Sequence, residues 1–310
     1  MLRLIKPYIR YRDVRRQFRE VFRTGMFTKG KYVDQFKNDL REYLKCSNVS
    51  LTTSATTSLA LCLEVLKIKP DDEVIVSDFS FPATANVVEN IGAVPIFADV
   101  DLKTYNMLPE DLEKKISSKT KMILPVHYGG NCGDIDDVYA FAKKNNLKVI
   151  TDNAQSIGTY YDKKYSGTQG DIGGFSLNCH KHINTGEGGI LISANDEYAN
   201  RLRHIRNHAE AIVQKKKVKN LANLIGYNFR MGEIEAAIGI EQLKKLNKII
   251  KNKQNISKLL IKGLSGLRGL KLPIIKKKCS HVFYIFPLQI DSDQLGVHRN
   301  KIYEALKAEG

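Results

Sequence analysis

A chain of 310 residues with 49 Lys and Arg against 33 Asp and Glu, a formal charge of +16, is long enough to bury a large core beside a smaller one. No apolar run reaches the length of a membrane span, and the opening MLRLIKPYIRYRD scatters charges among its few apolar residues, so neither a membrane anchor nor a secretory leader is expected. The lysines are spread in pairs and short runs with no basic helix or aromatic sheet motif beside them, which argues against a nucleic-acid binder and leaves the surplus free to suit an anionic small ligand.

Helical spacing covers about Asp13 to Phe22, and TGMFTKGKY follows as a glycine-bounded loop before a second amphipathic helix, YVDQFKNDLREYLK. From Asn48 strands and helices alternate. Strand NVSLTT leads to a helix from Ser54 to Lys67, EVIVSD to one from Pro82 to Ile91, and VPIFADV to one from Pro109 to Ile116. KMILPVH then leads to a helix from Ile135 to Lys144 and on to strand LKVITDN. This order predicts an α/β fold with a mainly parallel sheet and helices on both faces. Ligands of such sheets gather at the carboxyl ends of the strands, so the residues just after each strand are the candidates.

Ser54, Thr56 and Thr57 open a helix whose free N–H groups can hold a phosphate, or are an ordinary helix cap. Phe79, Ser80 and Phe81 follow the next strand, where each ring is either a platform for a flat ligand or core packing. Asp152 ends LKVITDN with Gln155 a short step on, placing a carboxylate where it could hold a heteroaromatic nitrogen protonated or simply form a turn. The five cysteines, Cys46, Cys62, Cys132, Cys179 and Cys279, lack the paired spacing of a zinc site or redox couple. Free thiols in a reducing compartment are expected, and with them a soluble cytoplasmic protein.

Downstream, FSLNCHKHINTGEGG sets Lys181 between an apolar strand carrying Ser176 and a glycine-rich turn at Gly186, Gly188 and Gly189. A lysine lodged there is either a stray surface cation or a partly desolvated amine of lowered pKa, the kind that attacks carbonyls. After GGILISAND, a helix from Glu197 to Arg206 and a basic surface loop from Ala209 to Leu224 are expected. A glycine-bounded turn then opens one long amphipathic helix through GEIEAAIGIEQLKKLNKIIKNKQNISKLLIKGL. Past Gly269 the expectation is a small α+β segment with strand HVFYIFPLQID and a helix from Arg299 to Lys307.

Phosphate-binding helix start, aromatic ring, Asp then Gln at a strand end, then Ser and Lys before a glycine turn: in this order they supply every contact pyridoxal phosphate needs. Together with TGMFTKGKYVDQF, KPDDEVIVSDFSFPAT, NIGAVPIFADVD, ITDNAQSIG and LIGYNFRMGEIEAAIG, they make the chain resemble the pyridoxal-phosphate-dependent nucleotide-sugar aminotransferases of the DegT and StrS type. The resemblance implies fold type I of these enzymes, with a large cofactor domain over residues 1–246 and, over 247–310, a linking helix and a smaller α+β domain. The family pattern continues for several dozen residues past the point matching EALKAEG, so the small domain is expected to be incomplete here.

The resemblance implies that Lys181 binds the cofactor's aldehyde and then moves the proton between cofactor and substrate carbons. Asp152 would pair with the ring nitrogen, Gln155 would lie near the phenolic oxygen, Phe81 would stack on the ring, and Ala55, Thr56 and Ser176 would hold the phosphate. Ala55 stands where the family usually has glycine. Asn228 would reach the phosphate in a neighbouring subunit, which implies a homodimer with shared sites, and the loop with Phe27 and Thr28 would line the sugar pocket. The implied reaction moves the amino group of glutamate to a keto group of a nucleotide-linked deoxysugar, for surface polysaccharides or related glycans. One alternative is a noncatalytic cofactor-binding remnant. Another is a sugar dehydratase, because some relatives carry histidine in place of the lysine and His180 and His182 flank it here; the spacing to TGEGG selects Lys181.

Overall fold

The computed structural model describes residues 6–209 and 225–310. All but the first residue of the basic loop expected at 209–224 lies outside them. Two helices, α1 (Tyr11–Thr24) and α2 (Lys31–Leu44), precede the sheet. Along α2 the buried Tyr32, Val33, Phe36, Leu40 and Leu44 recur every three or four residues, so one face of the helix is apolar throughout.

The sheet has seven strands: β1 (Asn48–Thr52), β2 (Glu73–Ser77), β3 (Val94–Ala98), β4 (Thr120–Leu124), β5 (Lys148–Asp152), and, after a short hairpin of β6 (Tyr160–Tyr161) and β7 (Lys164–Tyr165), β8 (Ile172–Ser176) and β9 (Gly189–Ser193). Their spatial order is β1-β9-β8-β5-β4-β2-β3. Pairs from β8 to β3 are parallel, and β9 runs antiparallel between β8 and β1. The sheet is therefore mainly parallel, as expected, and β1 runs in the same direction as β8.

The central strands are buried on both faces, which is why they read as continuous apolar runs, while the edge strand β3 exposes Val94 and Phe97. Successive side chains point to opposite faces. Val74 and Val76 pack into one cluster with Met122, Leu124 and Ile150, whereas Ile75, Ile123 and Val149 pack into another on the opposite side. The first cluster is covered by α3 (Ala55–Val65), α4 (Ala83–Glu89) and α7 (Asp196–Ile205). The second lies under α5 (Pro109–Lys115) and α6 (Ile135–Lys144). A third cluster joins β1, β8 and β9 to α2 and to two later helices, α8 (Glu233–Leu243) and α9 (Leu246–Leu264). Among the described residues no helix is long and apolar enough to cross a membrane.

Two elements differ from expectation. The single long helix is broken into α8 and α9 at Lys244 and Lys245, because long-range contacts hold the break. Lys245 Nζ bonds the Asp13 carboxylate at 2.7 Å and the Tyr8 carbonyl at 3.0 Å, and Gln242 Nε2 donates to the same carbonyl at 3.0 Å. The bend keeps Leu243, Leu246 and Ile250 all in the third cluster.

The expected strand at 281–291 is reduced to Gln289–Ile290 (β11), paired with Leu270–Lys271 (β10). Residues 281–285 instead dock on the turn Tyr128–Gly130: Val282 N–H donates to the Gly130 carbonyl at 3.1 Å and Ile285 N–H to the Gly129 carbonyl at 3.3 Å. Gly130, at φ +93°, leaves room there that a Cβ would take from Val282. A ladder of alternate residues cannot form when donors three residues apart are used and Phe283 sits at φ +50°. Short helices α10 (Ser292–Leu295) and α11 (Arg299–Ala308) end the chain.

Three histidines are folded in as neutral rings. His127, His182 and His281 are 2%, 7% and 4% exposed, and burial pushes each down to about 4. His281 Nδ1 accepts from Phe283 N–H at 2.9 Å, which requires that nitrogen to be unprotonated. In the unfolded chain histidines protonate near pH 6.5. Their contribution to stability is therefore complete above that pH and lost as pH falls through the folded value. Thermal unfolding should be steady from pH 8 to 7 and fall steeply from about 6.5 to 5, with about two to three protons taken up per chain on unfolding near pH 5.5. A flat dependence over that interval would contradict the neutral buried rings.

Candidate active site

Strands β1, β2, β4, β5 and β8 all end on one edge of the sheet, and the segments that follow them enclose a cavity of about 580 Å³. After β1, the Ser54 side chain takes the Thr57 N–H at 3.1 Å and its carbonyl takes the Ser58 N–H at 3.1 Å. The amides of Ala55 and Thr56, the first two of α3, keep no acceptor among the described residues, and both residues line the cavity. These free N–H groups at the positive end of a helix form an anion cradle. Ala55, the first residue of α3, lies on the cavity wall.

The end of β5 supplies Asp152, 6% exposed. Its Oδ1 accepts from Ala154 N–H at 2.9 Å and its Oδ2 from Thr84 Oγ1 at 2.9 Å. Thr84 is held in turn by Ser80 Oγ at 2.7 Å. Burial pushes the Asp152 carboxyl above its ordinary range, while those two hydrogen bonds and the charge of Lys181 pull the other way. Gln155 is 9% exposed; its Oε1 accepts from Gly129 N–H at 2.7 Å, which fixes the carboxamide and leaves Nε2 as a donor without an acceptor among the described residues.

Lys181 does not lie at the strand end itself but five residues beyond Ser176, the last residue of β8. The loop between them is folded tightly: Asn178 N–H bonds Ser176 Oγ at 3.2 Å, and Lys181 N–H bonds the Asn178 carbonyl at 2.9 Å. Because Ser176 Oγ accepts there, its own proton remains to donate. Burial pushes the Lys181 amine below the ordinary lysine range, with Asp152 acting against that shift. The sequence reading missed Tyr284, whose hydroxyl is 3.3 Å from Lys181 Nζ and whose ring centroid is 4.5 Å from it. No sequence signal marked Tyr284, since its segment reads as a strand; Thr84, one turn beyond Ser80, was equally silent.

The structure thus brings Ala55, Thr56, Phe81, Asp152, Gln155, Ser176 and Lys181 to one cavity. It does not bring Asn228, Phe27 or Thr28 there. Asn228 forms a bridge with Asn207, and Thr28 one with Gly232. Phe27 is 45% exposed and meets Phe22 edge-on at 5.3 Å. Of the flanking histidines, His180 lies on the cavity wall, whereas His182 is turned away with Nε2 2.9 Å from the Val282 carbonyl.

The sequence pattern of the DegT/DnrJ/EryC1/StrS aminotransferase family matches residues 10–310. The chain belongs to this family. It is 32% identical to the spore coat polysaccharide biosynthesis protein SpsC of Bacillus subtilis, over 94% of this chain and 76% of that one. It is also 32% identical to a GDP-perosamine synthase of Vibrio cholerae, over 90% of this chain and 75% of that one. Among solved structures, a GDP-4-keto-6-deoxymannose-3-dehydratase superposes with a TM-score of 0.91 at 27% identity, covering 100% of this chain and 84% of that one.

This DegT-family chain is an aminotransferase that uses pyridoxal phosphate. The cavity fits that group. Two unbonded helix amides can take a phosphate dianion, and the buried carboxylate of Asp152, disfavoured alone, can take a protonated ring nitrogen. A desolvated amine and an unpaired carboxamide donor share the same walls.

Proposed function

We propose that the enzyme moves the amino group of glutamate to a keto group of a nucleotide-linked deoxysugar, as a cytoplasmic step in making a surface polysaccharide or related glycan. The observation that carries this reading is the convergence of Lys181 and Asp152 on one cavity that also holds free helix amides. When bound, the cofactor supplies the electron sink that lets an amino group pass between two carbon skeletons. The amides of Ala55 and Thr56 and the Ser176 hydroxyl would hold its phosphate, Phe81 would lie against its ring, and Gln155 Nε2 would be the donor for its phenolic oxygen. Asp152, oriented by Thr84 and Ala154, would keep the ring nitrogen protonated. Lys181 would hold the aldehyde and, once freed, would carry a proton at Nζ between the two carbons, a role that its burial, which lowers its affinity for a proton, supports.

Amination is favoured over loss of a sugar hydroxyl because the desolvated group beside Asp152 is the Lys181 amine, whereas His180 stands exposed on the cavity wall and His182 is bonded away from it. The sugar reading draws on what the two relatives are named for. Asn228 and the loop of Phe27 and Thr28 lie outside the chain's own cavity, which supports a homodimer in which each subunit completes the other's site. The same reading divides the chain into a large cofactor domain over 1–246 and a linking helix with a smaller domain over 247–310.

The test is to incubate the cofactor-loaded protein with glutamate and a panel of nucleotide-linked keto sugars, and to follow products by mass. An amino sugar and 2-oxoglutarate in equal amounts are expected; a deoxygenated sugar without nitrogen would contradict the reading. In the same assay, mixed Lys181→Ala and Asn228→Ala subunits should regain part of the activity each lacks alone. No recovery on mixing would contradict the shared site.

A further inference from the structure

Glu233 is the first residue of α8 and 1% exposed, and among the described residues its carboxylate has no ion-pair partner. It reaches instead the start of α2, some two hundred residues earlier in the chain. Its Oε1 accepts from Gly30 N–H at 2.9 Å and Val33 N–H at 3.0 Å, and its Oε2 from Tyr32 N–H at 2.8 Å. Gly30 is the N-cap of α2 and has no side chain to cap with. A Cβ there would lie 2.7 Å from the Glu233 carboxyl carbon. One carboxylate therefore sits between the positive ends of two helices and satisfies three amides that would otherwise be orphaned.

The contact does more than cap α2. Glu233 N–H donates to the Phe27 carbonyl at 2.9 Å, and Gly232 bridges Thr28. The segment Met26–Gly30 is thus pinned by the carboxylate at one end and by the backbone beside it at the other, with Met26 and Phe27 turned outward. The residues just before Glu233 are Asn228 to Gly232. A serine or aspartate at position 30 would cap α2 locally and leave this loop tied to α8 only through the backbone contacts at Phe27 and Thr28. A cap delivered from α8 makes the Phe27 loop and the Asn228 segment one rigid unit.

We propose that Glu233 is a positioning residue for the nucleotide-sugar side of the reaction: its carboxylate holds the Phe27–Thr28 loop in register with the Asn228 segment. This rests on the reading above, in which that loop lines the sugar pocket. Removing the anchor should loosen the loop and weaken sugar binding while leaving the glutamate half of the reaction alone, because Lys181, Asp152 and the α3 amides belong to other elements and Asn228 keeps its own bridge to Asn207.

The test uses the cofactor-loaded enzyme and the variants Glu233→Gln, Glu233→Asp and Phe27→Ala. Glu233→Gln should speed amide hydrogen exchange over residues 25–33 by about tenfold or more and raise the KM for the nucleotide-linked keto sugar about tenfold. The KM for glutamate, the kcat and the absorbance of the bound cofactor should stay within about twofold. Glu233→Asp, which keeps the charge on a shorter arm, should recover most of the loss, and it carries the same readouts should Glu233→Gln fail to fold. Unchanged exchange in Glu233→Gln overturns the anchor. Equal losses toward both substrates overturn it as well, since they describe a structural defect only. Phe27→Ala leaves the anchor in place, so an unchanged sugar KM there overturns the substrate role of the loop, and this proposal with it.

Discussion

Lys181→Ala is expected to abolish amino transfer, with a loss of about ten-thousandfold or more, while the chain still folds and holds cofactor weakly. The expectation follows from what the substitution removes. The amine is the group that binds the aldehyde and the base that moves the proton, and Tyr284, its hydrogen-bond partner at 3.3 Å, is a phenol that cannot take over either task. The α3 amides, Ser176, Gln155 and Asp152 stand on other elements and keep their geometry. Removing a partly desolvated cation costs the fold little, so the melting temperature should hold. Single-turnover assays with glutamate, read beside that temperature, check the prediction; substantial residual transfer would mean that another amine serves.

Asp152→Asn should leave cofactor binding nearly intact and lower turnover about a hundredfold, which corresponds to roughly 3 kcal/mol in the transition state. The substitution is close to isosteric. An amide oxygen can still accept from Ala154 N–H, and the amide nitrogen can donate to Thr84 Oγ1, whose own proton can turn to Ser80. What disappears is the negative charge. A neutral partner cannot keep a ring nitrogen protonated while charge flows into the ring. Near-native turnover in this variant would reduce Asp152 to a turn former.

The layout of the sheet was legible because the central strands are buried on both faces and read as apolar runs separated by helical segments, so the alternation from Asn48 to Asp152 shows at the level of side-chain type. The candidate residues were legible for the same reason: in a parallel sheet whatever follows a strand stands at one edge, which is how Asp152, Ser176 and Lys181 come together. What the sequence hid depends on contacts distant in the chain. Nothing near Lys245 announces a helix break, because Asp13 and Tyr8 make it. The aromatic and β-branched run at 281–286 has strand composition, yet its amides bond a turn around Gly129 and Gly130, and that docking alone carries Tyr284 to Lys181. Glu233 reads as one more acid in the first turn of a helix until its three amide partners are seen.

One amine, that of Lys181, is central to the chemistry. Cofactor-loaded protein should be yellow, and borohydride reduction should fix the cofactor to the chain through the nitrogen that holds it. Digestion and peptide mapping should then place the added mass on Lys181 alone, with no labelled peptide from Lys181→Ala. A label on any other lysine, or none at all in the wild-type chain, would contradict the account.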